Sequence, residues 1–250
     1  MGSTQLRLPG KVRGCILDLD GVLVDTEWPR VLAWAETFDA CLARRVSEAG
    51  DALRPFDVVV DYEEYVEGRA PEDATRTFLA SRGIVIPDGH PGDPCEAETV
   101  HGLTACQRAL VLTRIRSEGV HVYPGSARFV DAARGAGIPC VAVSNADTRQ
   151  TLEVACAVGL FADKIDGLVT AREQLTGKPT PEAFLAGAAL LGLRPAEAAV
   201  FEDSLSSVEA ARSAEFGYIV GIDRVGNAEA FRALGVDVVV NGLAQLIEPG

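Results

Sequence analysis

Six short runs rich in apolar and β-branched residues, at 14–20, 139–144, 165–170, 198–202, 218–222 and 236–240, alternate with stretches that repeat Ala, Leu and Val at helical spacing. The helical stretches are 126–136, 148–158, 181–191, 204–214 and 227–234. Strand–helix alternation of this kind predicts an α/β fold, a doubly wound, mostly parallel, Rossmann-like sheet with helices on both faces. One interval breaks the rhythm. Between 28 and 120 only helical patterns occur, at 29–49, 62–68, 71–82 and 102–118, with an irregular loop at 86–95 that holds three Pro and two Gly. The expected organisation is a core of residues 1–27 and 121–250, with an all-helical cap, 28–120, inserted after the first strand.

The chain is long enough for these two parts, at 250 residues with 48% apolar side chains. Its formal charge of −13 repels phosphate backbones and anionic lipid, so neither nucleic acid nor membrane is an expected partner. Apolar runs fall short of a membrane span, and residues 1–13 carry Arg7, Lys11 and Arg13 with no apolar segment of the signal-peptide kind. Cys15, Cys41, Cys95, Cys106, Cys140 and Cys156 form no CxxC pair and read as reduced, mostly buried thiols of a cytoplasmic protein. His90, His101 and His121 show no ligand spacing.

Chemistry concentrates where strands end. Asp18 and Asp20 close the first apolar run in Asp18-Leu19-Asp20-Gly21-Val22-Leu23-Val24-Asp25-Thr26. A strand puts residues two apart on one side, and two such acids at a buried strand end call for a positive partner, most simply a divalent metal with its preference for oxygen. Ser144-Asn145 ends the second run, Lys178 lies in Gly177-Lys178-Pro179-Thr180-Pro181, and Glu202-Asp203-Ser204 ends the fourth. Open parallel sheets bind ligands beyond the carboxyl ends of their strands, so a hydroxyl, a cation and two acidic clusters are expected to meet in one crevice. Each motif alone has an ordinary explanation as a turn or helix cap. Their order, each following a strand or opening a helix, is what points to phosphoryl transfer.

This set resembles the four signature motifs of the haloacid dehalogenase (HAD) superfamily, over nearly the whole chain. The helical insertion is similar to the cap of its β-phosphoglucomutase-like branch. Phe56-Asp57-Val58-Val59-Val60-Asp61-Tyr62 and Val66-Glu67-Gly68-Arg69 resemble an actinobacterial, trehalose-phosphatase-associated subgroup. The resemblance implies that Asp18 attacks phosphorus to form an aspartyl-phosphate, and that Asp20 protonates the leaving oxygen and then activates water. It implies Mg²⁺ held by Asp18, Asp203, Glu202 and the backbone carbonyl of Asp20, with Lys178 neutralising charge on the transferring group. Ser144, with backbone N–H groups around Gly21 and Asn145, would bind phosphoryl oxygens.

Departures from the mutase pattern bear on substrate. Arg30 stands where that branch carries a hinge His. Pro71 replaces an Arg before Glu72-Asp73, although Arg69 is close by, and Gln107-Arg108 replaces a Lys-Asn pair. Arg30, Arg69 and Arg108 are candidates for the non-reacting end of the substrate. Trp28 and Trp34 read as cap core. The expected activity is Mg²⁺-dependent hydrolysis of a small phosphorylated metabolite, a sugar or cyclitol phosphate. A β-phosphoglucomutase-type phosphomutase is the alternative, and a non-catalytic HAD-fold binding protein ranks third. A dehalogenase would need neither Asp20 nor Asp203.

Overall fold

The computed structural model describes residues 5–49, 53–67, 69–144, 161, 164–170 and 181–248. Six parallel strands form the main sheet in the order β5-β4-β1-β6-β7-β8. They are β1 (Gly14–Asp18), β4 (Cys140–Ser144), β5 (Gly167–Thr170), β6 (Ala198–Glu202), β7 (Tyr218–Ile222) and β8 (Val238–Val240). The first is central and buried along its length. Cys15 and Leu17 pack on one face with Phe129, Val130 and Ala133 of α5 (Ser126–Gly135). Ile16 packs on the other with Phe184 of α6 (Glu182–Leu190), Val208 of α7 (Leu205–Ser213) and Phe231 of α8 (Ala228–Ala233). This period-two division covers the sheet with helices on both faces, the doubly wound arrangement expected from the alternation. Complete burial of Ile16 and Leu17 contributes roughly 1.5–3 kcal/mol each, which offsets part of the cost of ending the strand on a carboxylate.

Several boundaries differ from the sequence expectation. The first strand stops at Asp18 instead of reaching Asp20, because the chain curls back at once: Leu23 and Val24 N–H donate to the Leu19 carbonyl, and Gly21 N–H donates to Val24. The two acids are therefore not a strand pair. A small antiparallel ribbon, β2 (Val24–Asp25) with β3 (His121–Val122), was not foreseen, since two-residue strands leave no periodicity to read. The expected helix at 148–158 lies outside the described residues.

The chain divides into two units, one of Met1–Thr26 and Gly119–Gly250, the other of Glu27–Glu118. The second is helical throughout: α1 (Glu27–Ala49), α2 (Val60–Tyr65), α3 (Pro71–Ser81) and α4 (Val100–Glu118). Its core is aromatic, with Phe38 stacked on Phe78 at 4.1 Å and on Trp34 at 4.9 Å between ring centroids. Trp28, expected in that core, is 55% exposed. Position 28 falls about one and two-thirds turns before Trp34 and so on a different face of α1. Asp61 lies buried at the edge of this core and accepts from Arg54 and Arg82, each at 2.5 Å, and from Asp57 N–H at 2.8 Å. Among the described residues the cysteines are free thiols. Cys15 and Cys140 sit opposite each other on neighbouring strands, and that thiol neighbour together with burial pushes the Cys15 thiol up, as expected of inert sulfur.

Candidate active site

Asp18 ends β1, and Glu202 ends β6 beside it in the sheet. Asp203 follows directly. Asp18 and Glu202 are buried, Asp203 half-buried, and the three offer carboxylate oxygens within 4.8 Å of one another. Glu202 is fixed from below: one oxygen accepts from Asp203 N–H, Ser204 N–H and the Ser204 hydroxyl, each at 3.2 Å. Ser204 also caps α7, its oxygen accepting from Ser207 N–H at 3.4 Å. The helix start thus holds an acid at its positive end.

The Asp20–Gly21 turn closes the site. Gly21 has φ +78° and its α-carbon lies against the Asp203 carboxylate, so that a β-carbon there would stand 1.7 Å from Oδ2. Only glycine satisfies both conditions. Asp20 does not join the three-acid group. Its Oδ1 accepts from the Thr26 hydroxyl, and its Oδ2 from the Ser144 hydroxyl at 3.3 Å. A hydroxyl can donate to a carboxylate or accept from a carboxylic acid, so these partners suit Asp20 in either protonation state.

Three carboxylates this close, two of them buried, repel one another, and a cation among them would relieve that repulsion. The donor set is all oxygen, which suits a hard divalent ion, and the three oxygens lie close enough together to share one. Asp18, Glu202 and Asp203 are accordingly the side chains that fit a metal.

Of the residues picked out in the sequence, Asp18, Asp20, Gly21, Ser144, Glu202 and Asp203 are brought together. Asn145 and Lys178 lie outside the described residues. Arg30, Arg69 and Arg108 belong to the helical unit and are exposed. Arg30 hydrogen-bonds the Tyr62 hydroxyl, which burial pushes up and Arg30 pulls back down. Arg69 donates to the Glu64 carbonyl at 3.3 Å. Sequence reasoning missed Thr26, although it sits in the first motif; a hydroxyl six residues from an acid carries no periodic signal. It also missed Arg224, whose Nε donates to the Gly21 carbonyl at 2.8 Å from a loop 203 residues away.

A family model for haloacid dehalogenase-like hydrolases matches residues 12–215, a span that takes in every one of the first-motif, Ser144, Lys178 and Glu202–Asp203 positions. The chain belongs to this family. The comparison with individual proteins agrees. The chain is 44% identical to a β-phosphoglucomutase of Mycobacterium tuberculosis over 98% of its own length and 95% of that protein's. It is 27% identical to hexitol phosphatase A of Escherichia coli over 94% of each chain. A haloacid dehalogenase family hydrolase of Deinococcus radiodurans, solved with bound phosphate and sodium, superposes with a TM-score of 0.68 at 24% identity, covering 97% of this chain and all of that one. The protein is thus an enzyme from the phosphatase and phosphomutase part of the family. No helix among the described residues is long and apolar enough to cross a membrane.

Proposed function

We propose that this enzyme transfers the phosphoryl group of a small sugar phosphate through a covalent aspartyl-phosphate on Asp18, with Mg²⁺ as cofactor. The observation that carries this reading is the meeting of Asp18, Glu202 and Asp203 at the carboxyl end of the sheet, with Asp20 held apart from them. An Asp18 oxygen attacks phosphorus as the bond to the leaving sugar oxygen breaks. Asp20, steadied by Thr26 and Ser144, gives that oxygen its proton. Bound Mg²⁺ supplies charge neutralisation between the dianionic phosphate and the attacking carboxylate. Asn145 and Lys178, by their place in the motifs, are proposed to bind the phosphoryl oxygens, and the three cap arginines to meet the substrate's other end.

The fate of the aspartyl-phosphate separates two readings. Capture by a sugar hydroxyl, with Asp20 taking the proton, makes a mutase; the 44% identity over almost the full length to a protein of that activity supports this one, and we place it first. Capture by water makes a phosphatase, the activity expected from the replacements at Arg30, Pro71 and Gln107-Arg108 and supported by the similarity to hexitol phosphatase A. Purified enzyme with Mg²⁺ and a trace of hexose bisphosphate should turn β-glucose 1-phosphate into glucose 6-phosphate faster than it releases inorganic phosphate. Phosphate release without isomerisation selects the phosphatase. Loss of both activities in Asp18→Asn is required by either reading, and an Asp18→Asn variant as active as wild type would end both.

A further inference from the structure

Two successive carbonyls of the catalytic turn are held from distant parts of the chain. The Val22 carbonyl accepts from the Ser126 hydroxyl at the start of α5, at 3.1 Å. The Gly21 carbonyl accepts from Arg224 Nε at 2.8 Å. Arg224 follows β7, in a loop that Asp223 organises by accepting from Gly226 and Asn227 N–H at 2.7 and 2.8 Å. From there its guanidinium does three things at once. It bonds Gly21, it bonds the Asn241 carbonyl through Nη1 at 2.8 Å, and it lies over the Tyr123 ring with its central carbon 3.6 Å from the centroid. Tyr123 in turn follows β3, and its N–H donates to Leu23 in the same catalytic turn at 3.2 Å.

The arrangement demands arginine and not merely a positive charge. Only a planar fork can donate along two directions while its face stacks on an aromatic ring. Nη2 is buried with no partner among the described residues, a cost that a shorter or single-headed side chain would avoid. The site accepts that cost at a residue whose hydrogen bonds go to two backbone carbonyls. One of these carbonyls belongs to Gly21, whose position bears on the fit of Asp203, because Asp203 packs against the Gly21 α-carbon. A shift of the Gly21 carbonyl moves that α-carbon, and with it Asp20 on one side and the Asp203 carboxylate on the other.

We propose that Arg224 is a positioning residue for phosphoryl transfer: anchored on the Asn241 carbonyl and the Tyr123 ring, it clamps the Gly21 peptide so that Asp20 and Asp203 keep their places around Asp18. This rests on the reading of Asp18 and Asp20 given above. The clamp acts on kcat more than on substrate affinity, since Arg224 meets the turn at a backbone carbonyl.

The test uses the full-length enzyme carrying Arg224→Met, Arg224→Lys or Tyr123→Leu. Arg224→Met should lower kcat by about 30-fold with KM within about twofold, in line with the cost of misplacing a reacting group by a fraction of an ångström. Arg224→Lys should recover part of that loss, because one donor to Gly21 survives. Tyr123→Leu, which removes only the stacking surface, should cost about threefold and keeps the question answerable if Arg224→Met does not fold. Amide hydrogen exchange provides a readout without turnover: Gly21, Leu23 and Val24 N–H should exchange about tenfold faster in Arg224→Met than in wild type, with no matching change at Val220 in the neighbouring strand. A folded Arg224→Met enzyme with kcat within twofold of wild type overturns the proposal, as does unchanged exchange at the turn. If wild-type enzyme transfers no phosphoryl group at all, the reading of Asp18 fails, while the exchange measurement still decides whether the clamp exists.

Discussion

Gly21→Ala is the sharpest perturbation of this site. The new β-carbon would stand 1.7 Å from Asp203 Oδ2 and 2.4 Å from its Cγ. Carbon and oxygen sit comfortably at about 3.5 Å, so the carboxylate must retreat by more than ~1.5 Å or the turn must open by as much. Alanine at φ +78° adds about 1–2 kcal/mol of backbone strain. The strain is the smaller matter: in a chain of this size it lowers the melting temperature by roughly 2–8 °C. The displacement is the larger one, because moving one of the three carboxylates proposed to hold Mg²⁺ by more than an ångström should weaken Mg²⁺ binding roughly 10–100-fold and slow turnover by about 10²-fold or more. Gly137→Ala separates the two effects. Gly137 has φ +73°, lies in the same unit, and has open space where a β-carbon would go. It should show the same thermal loss with Mg²⁺ affinity and kcat within twofold of wild type. Calorimetric Mg²⁺ titration, steady-state kinetics and thermal melts on both variants give the comparison. If Gly21→Ala is as active as Gly137→Ala and binds Mg²⁺ as tightly, the seating of Asp203 against the turn does not matter to function and the reasoning is wrong.

Thr26→Val removes one of the two hydroxyls on Asp20 and should lower kcat about tenfold, with Thr26→Ser restoring most of it; a fully active valine variant would remove Thr26 from the account. In the helical unit, Asp61→Ala leaves Arg54 and Arg82 without their shared acceptor and should cost about 3 kcal/mol in urea unfolding followed by Trp fluorescence, the modest end of the range for a broken buried pair because Arg54 is 58% exposed. A loss under 1 kcal/mol would show that the pair is not a structural tie. Burial, followed by the neighbouring Cys95 thiol, pushes the Cys106 thiol up to about 12 from an ordinary 9.0, so its thiolate fraction near neutrality falls about a thousandfold. Alkylation of Cys106 by iodoacetamide at pH 7.5, followed by mass spectrometry, should be at least ~100-fold slower than that of glutathione, and should rise with pH up to about 12.

The sheet could be read from the chain because its strands are buried on both faces and bounded by turn residues, so a run such as Ala198–Glu202 carries an unmistakable signal. The acids were legible because strand ends in a parallel sheet face one crevice whatever their spacing in sequence. The limits are equally physical. Asp18 and Asp20 share no strand face, since the turn back to Leu19 depends on carbonyls that sequence patterning does not describe. Glu202 is expected near the metal beside Asp203, but nothing in the sequence shows that one of its oxygens accepts from three donors at the start of α7. Arg224 could not be found at all: its role depends on a carbonyl, a ring and another carbonyl drawn from 21, 123 and 241, and each looks ordinary in its own neighbourhood.

The two crossings by which the chain leaves and re-enters the core are both tied to the catalytic turn. Thr26 is the last core residue before the helical unit, and its hydroxyl holds Asp20. Gly119 is the first residue after it; β3 follows and pairs with β2, and Tyr123 then receives the Arg224 guanidinium that holds Gly21. The outgoing crossing therefore acts on Asp20, the proposed acid–base residue, and the returning one on the peptide that seats Asp203. A distortion at either crossing must be felt at residues 20 and 21 before it reaches Asp18, whose strand is paired on both sides. Asp18, the proposed nucleophile, is steadied by sheet pairing, whereas Asp20, the proposed proton donor, and the Gly21 carbonyl are held by side-chain donors from Thr26, Ser144 and Arg224. That division suits a reaction in which the attacking oxygen must stay still while the proton donor becomes a base between one half-reaction and the next. It also predicts unequal tolerance: Thr26 and Tyr123 variants should change kcat with little loss of stability, while a polar substitution at Leu17, buried in the strand that carries Asp18, should unfold the core before any effect on catalysis can be measured.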